Sequence, residues 1–220
     1  MPEPRARRRH RPRAAALLAL ALVAVSAATA CGAHAPASGW ADPDNVGLPG
    51  PVRIAPADRV AVPDVSGPTV SGGTDGTARH RGRILVVNVW GSLCGPCRDE
   101  ARGLARVARD LDAQGVSFLG VDSRDLSKAS AAAFERRYGL PYPSLYDPRG
   151  TLLLRFPRGS LAPQAIPATL VLDRQGRIAA HYLGALDEQR LRAMIAPVLA
   201  EQPPASGGAG NRPSGAPASV

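Results

Sequence analysis

The apolar run Ile84-Leu85-Val86-Val87-Asn88-Val89 leads directly into Trp90-Gly91-Ser92-Leu93-Cys94-Gly95-Pro96-Cys97, and this junction limits what the chain can fold into. A β-branched, near-continuous run suits a central strand buried on both faces. After it, Leu104, Val107, Ala108 and Leu111 recur at helical spacing, so residues 99–112 predict a helix that the second half of the motif opens. Pro96 fits the first turn, where a missing N–H costs nothing. Cys94 therefore falls at a helix N-terminus, where unpaired N–H groups and the macrodipole stabilise a thiolate, the form that attacks a disulfide. Cys97, one turn deeper, is placed to resolve a mixed disulfide.

A Cys-x-x-Cys pair also serves as half of a zinc site or as an inert structural disulfide. Tetrahedral zinc needs four ligands, and beyond the pair the chain offers only Cys31 and four scattered histidines, none at finger spacing. Neither a metal nor a bound cofactor is expected. The structural disulfide stays open as an alternative, although the position after a buried strand favours a redox dithiol.

Arg5, Arg7, Arg8, Arg9, Arg11 and Arg13 precede 17 uncharged residues, 14–30, and then Cys31. A charged segment, an apolar segment and small residues in that order make an export signal over residues 1–30. Mostly alanine, the apolar stretch falls short of the roughly 20 residues a membrane span wants, so cleavage is expected and an uncleaved anchor is the lesser reading. Ala28-Thr29-Ala30-Cys31 resembles a bacterial lipobox, with Ala28 where leucine is usual. Cys31 is the expected site of lipid attachment, since an odd free thiol is disfavoured in an oxidising compartment. A plain secretory signal and a twin-arginine route through Arg7-Arg8-Arg9 are alternatives. Six of the 27 basic and one of the 18 acidic residues precede Cys31, leaving 21 against 17. The formal charge of +9 thus belongs mostly to the signal. No aromatic-interleaved basic patch marks the rest, and nucleic acid is not an expected partner.

Residues 31–64, rich in Pro, Ala, Gly and Asp, read as a tether, and residues 202–220, with a single charge, as a disordered tail. Residues 65–201 form the expected domain. Strands are expected over 84–90, 116–121, 168–173 and 178–183, and helices over 99–112, 128–138 and 187–199; residues 152–156 suit either a short helical turn or a strand. Asp173-Arg174-Gln175-Gly176 signals a hairpin turn. Asp187 is the expected cap of the last helix, with Leu191, Met194, Ile195 and Val198 facing inward. Such an order implies the α/β class, a three-layer α/β/α sandwich with a mixed central sheet.

On these residues the chain resembles the TlpA/ResA-like branch of the thioredoxin superfamily. Residues 84–104 are similar to that family's active-site segment. Ile166-Pro167-Ala168-Thr169-Leu170-Val171-Leu172-Asp173-Arg174-Gln175-Gly176 is similar to its cis-proline segment. Residues 118–150, with Gly120-Val121-Asp122, Phe134, Tyr138-Gly139-Leu140-Pro141 and Asp147-Pro148-Arg149-Gly150, resemble its strand–helix insert. The resemblance spans about residues 65–201 and implies a thioredoxin fold. It further implies Cys94 as nucleophile, Cys97 as resolving thiol and Pro167 as a cis-proline facing the dithiol, with the carbonyl of Ile166 free to pair with substrate backbone.

Asn88 stands where plain thioredoxins keep a buried acid, so the proton of the second thiol must go elsewhere. Glu100 falls where the TlpA/ResA-like branch places an acid near the dithiol, and partial burial would raise its pKa. The bland alternative for Glu100 is a favourable charge in a first helical turn. Asp99, the competing acid, is expected to face solvent. Trp90 is expected to shield one side of the dithiol, with core packing as the alternative. Gly95, Pro96, Ile166 and Pro167 complete the expected substrate contacts. Leu93 replaces the usual aromatic residue and Ala101-Arg102 a common Met-Pro pair, which points to a different substrate face.

The activity implied is that of a membrane-tethered extracytoplasmic thiol:disulfide oxidoreductase. The Gly-Pro dipeptide is shared with thioredoxin, a reductant at about −270 mV, whereas the oxidant DsbA lies at about −120 mV. The resemblance also suggests oxidised apocytochrome c as substrate and a thiol-relaying membrane protein as electron donor. A disulfide oxidant or general repair reductase would use the same two cysteines. A peroxide-reducing redoxin and a non-catalytic tethered binding lipoprotein are the remaining alternatives.

Overall fold

The computed structural model describes residues 50–161 and 166–201. The export signal, Cys31, the first part of the tether and the tail lie outside the described residues. The strands are β1 (Val52–Arg53), β2 (Ser66–Pro68), β3 (Thr74–Gly76), β4 (Ile84–Trp90), β5 (Val116–Ser123), β6 (Ser144–Asp147), β7 (Ala168–Leu172) and β8 (Ile178–Leu183). The α-helices are α1 (Gly95–Asp112), α2 (Lys128–Tyr138) and α3 (Glu188–Ala200).

Every residue of β4 is buried, as its apolar run requires. It lies inside a six-stranded mixed sheet ordered β1-β8-β7-β4-β5-β6, parallel to β5 and antiparallel to β7. From β4 through β5 to β6 the chain makes two parallel crossovers in the same direction. Right-handed connections then put α1 and α2 on one face. On that face Leu104, Val107 and Leu111 of α1 and Leu191, Ile195 and Val198 of α3 pack on Ile84, Val86 and Phe118. α2 contributes Ala131 and Phe134 beside Trp90. On the other face Leu85, Val87, Leu119 and Leu170 are covered by Val62, Val65, Leu153 and Phe156. The three expected layers are present, the second outer one built among the described residues from extended chain and 3-10 turns. One such turn, Leu153–Arg155, decides the open reading of residues 152–156.

Local signals set several boundaries. The β7–β8 turn closes with Gly176 at φ 73°, while Asp173 Oδ1 accepts from the amides of Gln175 (3.0 Å) and Arg177 (2.9 Å). Asp187 caps α3 by accepting from the Arg190 amide at 2.7 Å. α1 begins earlier than its apolar periodicity, because its first turn is the dithiol motif itself. β6 and the β2–β3 hairpin are not anticipated by pattern: each strand has three or four residues, and prolines interrupt β2 and flank β6.

The tether reading of residues 31–64 is corrected from about residue 51 onward. Val52 pairs with His181 and Arg53 with Ala180 at the sheet edge. Arg59 is buried, with Nη1 3.2 Å from Asp173 Oδ2 and 2.7 Å from Glu201 Oε2. A two-residue strand and a single 3-10 turn, Pro56–Asp58, leave no period to read.

Candidate active site

Cys94 is the N-cap of α1, its Sγ accepting from the Cys97 amide at 3.2 Å. The two cysteines are joined in a disulfide, with Cα atoms 5.3 Å apart. Their surroundings differ. Cys97 is 1% exposed among Trp90, Ala101, Ala131 and Phe134, whereas Cys94 only borders that apolar cluster. Cys94 thus presents the sulfur that another molecule can reach, and the helix N-terminus favours its thiolate when the pair is reduced.

Glu100 lies three residues after Cys97 on α1 and is 4% exposed. Its Oε1 accepts from Asn88 Nδ2 at 2.8 Å and its Oε2 from the Leu186 amide at 2.8 Å. Asn88 is fixed in turn by donating to Thr169 Oγ1 at 3.2 Å. The two donors favour the carboxylate, yet burial outweighs them and pushes the pKa up to about 7. Asp99 is exposed. The contrast follows from helical geometry: positions 97, 100, 101 and 104 share the buried stripe, and position 99 points away.

The Ile166–Pro167 peptide is cis. Ala168 pairs with Val89, which sets Pro167 across from Trp90 at the sheet end where the dithiol loop begins. Ile166 borders the same apolar cluster as Cys94. Gly95 and Pro96 are exposed on the first turn of α1. Trp90 departs from the expected substrate contacts. It is 1% exposed, stacked on Phe134 with ring centroids 4.3 Å apart, and donates from Nε1 to Ser144 Oγ at 3.2 Å. It is packing beneath the dithiol, because its own strand keeps it under α1 and α2. Gly120 makes room for it: a Cβ there would lie 2.8 Å from the indole Nε1 and still closer to Ser144.

A loop clamp was not legible in the sequence. Ser92 donates from its amide to Asp125 Oδ2 (2.9 Å) and from its hydroxyl to Asp125 Oδ1 (2.8 Å). Its carbonyl accepts from Arg98 Nε (2.9 Å) and Nη2 (2.7 Å). Three groups of one residue just before Cys94 are thereby held. Behind the clamp, Asp122 is fully buried beside Asp125. Burial, aided by Asp125, Glu135 and Asp147, pushes its pKa up to about 9. Burial thus favours its neutral form. Gly-Val-Asp before a loop was the only sequence sign of this group. Among the described residues no cluster of His, Cys, Asp and Glu could hold a metal ion.

A thioredoxin-like sheet, a Cys-x-x-Cys pair at a helix N-terminus and a cis-proline at the adjoining strand end define a thiol:disulfide oxidoreductase. The chain belongs to the AhpC/TSA family, whose model matches residues 59–181. It is 32% identical over 154 residues to the thiol:disulfide interchange protein DsbE of Allochromatium vinosum, covering 70% of this chain and 78% of that one. The thiol-disulfide oxidoreductase ResA of Geobacillus thermodenitrificans is 26% identical, over 51% of this chain and 62% of its own length. Among solved structures, a secreted thiol-disulfide isomerase from Corynebacterium glutamicum superposes with a TM-score of 0.65 at 30% identity, over 74% of this chain and 98% of that chain.

Proposed function

We propose that the chain is an extracytoplasmic, membrane-tethered reductant of protein disulfides, with oxidised apocytochrome c as its substrate. The observation that carries the disulfide-exchange reading is the pairing of a reachable Cys94 with a buried Cys97 and the buried acid Glu100. The Cys94 thiolate attacks one substrate sulfur, breaking the substrate disulfide and releasing one substrate thiolate. Cys97 loses its proton, with Glu100 as acceptor, and attacks Cys94 Sγ. The Cys94–Cys97 disulfide forms and the second substrate thiolate leaves. Two electrons pass to the substrate, and a membrane thiol-relay protein restores the dithiol. Gly-Pro between the cysteines supports the reducing direction, and the resemblance of residues 84–104, 118–150 and 166–176 supports the substrate. The Arg-rich N-terminus with Cys31 supports export and lipid attachment; no described helix is long and apolar enough to cross a membrane.

The reduction potential of the Cys94–Cys97 pair, equilibrated against glutathione and dithiothreitol buffers, is the deciding measurement. A value near or below about −250 mV supports the reductant, and one above about −150 mV makes the protein an oxidant. Trapping with Cys97→Ser then identifies the substrate, and capture of proteins other than cytochrome c polypeptides would replace that part of the reading.

A further inference from the structure

Beside the dithiol, the loop before α1 faces α2 across an open cleft of about 400 Å³. Its wall includes Leu93, Arg98, Phe134, Arg137 and Tyr138. Leu93, the residue before Cys94, is 85% exposed. Leu126, which follows the Asp125 that holds Ser92, is 90% exposed at the same loop cluster. Leu93 therefore stands in solvent beside the reactive cysteine in the chain, where burial would be favourable.

The charged groups lining this cleft are both arginines. Among the described residues Arg98 donates to the Ser92 carbonyl alone, and the Arg137 guanidinium lies 5.9 Å from the Tyr138 ring centroid, with Arg102 5.6 Å from the same ring. Neither Arg98 nor Arg137 is in an ion pair among the described residues. Three exposed arginines elsewhere do have carboxylate partners: Arg83 has Asp112, Arg106 has Glu188 and Arg192 has Asp110. Nearby acids are otherwise engaged or turned away. Asp125 is bound to Ser92, Glu135 faces Ser144, and Asp99 points outward on α1.

We infer that this cleft docks the polypeptide segment flanking the substrate disulfide, and that it selects segments with acidic side chains around an apolar one. The inference rests on the protein-disulfide reading above and adds its specificity. Carboxylates meet Arg98 and Arg137 while the apolar side chain covers Leu93 and Tyr138. Exposed charge pairs are individually weak, worth a few-fold each, so two of them give roughly ten-fold discrimination that salt erodes.

The test uses the pre-reduced full chain and synthetic peptides carrying one disulfide, with Glu-Leu-Glu or Lys-Leu-Lys flanking it. Bis(2-hydroxyethyl) disulfide serves as a small uncharged substrate. Expected is a second-order rate constant roughly ten-fold higher for the acidic peptide at low ionic strength, approaching parity in about 1 M salt. Arg137→Glu leaves one cation opposed by one anion and is expected to bring the two peptides close to parity, each rate being taken relative to that on the small disulfide. Equal rates for the two peptides with the unmodified chain, or a preference unchanged in Arg137→Glu, overturns the inference. Loss of binding to anionic phosphatidylglycerol vesicles in Arg137→Glu, with peptide preference unaltered, also overturns it by making the cleft membrane-facing. Failure of the unmodified chain to reduce even the small disulfide would sink the oxidoreductase reading instead.

Discussion

Glu100 sits where two effects oppose each other. Hydrogen bonds from Asn88 and Leu186 stabilise the carboxylate, and burial penalises it more, moving the pKa from 4.5 to about 7. A raised carboxyl pKa means that the folded state holds a proton the unfolded state has lost. Between pH 4.5 and about 7 stability therefore falls as pH rises, and it levels off above, with a total of about 3 kcal/mol. Glu100→Gln removes that contribution. Denaturant unfolding at pH 4.5 and pH 8 should show the stability difference between wild type and variant changing by about that amount, whereas a constant difference would place the pKa near its ordinary value. In stopped-flow exchange the same variant should lose the pH dependence near 7 and resolve the mixed disulfide more slowly. Asp125→Ala is a different case. It leaves the Ser92 amide and hydroxyl without their acceptor, so a loss of about 1–3 kcal/mol is expected in the same assay. The Glu100 position was readable because the family resemblance points to it and a short helical spacing relates it to Cys97. Asp125 was not, since 33 residues separate it from Ser92 and only tertiary structure closes that gap.

The two helices that flank the dithiol are anchored very differently. α1 buries nine residues along its length, and α2 buries only Ala131 and Phe134. α2 nonetheless stacks Phe134 on Trp90 and supplies Arg137 and Tyr138 to the cleft. A helix that buries only two residues opens locally at lower cost than the domain does. Amide hydrogen exchange should show α2 less protected than α1. Phe134→Ala should cost about 3–5 kcal/mol or, if α2 detaches as a unit, remove its protection while leaving that of α1 and β4. Equal protection in both helices would contradict the weak-anchor argument. α2 was legible to its terminal residues, with Gly139 at φ 62° ending it, because both helical spacing and its stop signal are local. Its partner on the sheet was not, since no local pattern says which strand a helix will cover.

At the scale of the domain, residues 51–64, tether-like in composition, join its beginning to its end. Arg59 binds Asp173 in the β7–β8 turn and Glu201 at the end of α3, so three stretches of sequence meet at one guanidinium. The alternation of strands and helices made the central sheet legible, because each element carries its own period. The N-terminal belt has no period and is defined only by what it covers. Its energetic weight follows from burial. Arg59 and Asp173 are almost fully enclosed, and removing one partner of such a pair strands the other charge, at a cost of about 3–5 kcal/mol. Asp173 keeps Arg177 at 2.8 Å, which places Arg59→Ala toward the lower end of that range. Loss of the whole belt also removes Val62, buried against the β4 face, and uncovers the edge of β8. A fragment of residues 65–201 should therefore unfold at clearly lower denaturant than one of residues 50–201, with a smaller dependence on denaturant because less surface is buried to begin with. Coincident unfolding curves would return residues 50–64 to the role of a tether. A lower midpoint, matched in part by Arg59→Ala alone, would show that the domain is closed by a belt running from its first strand to the end of its last helix.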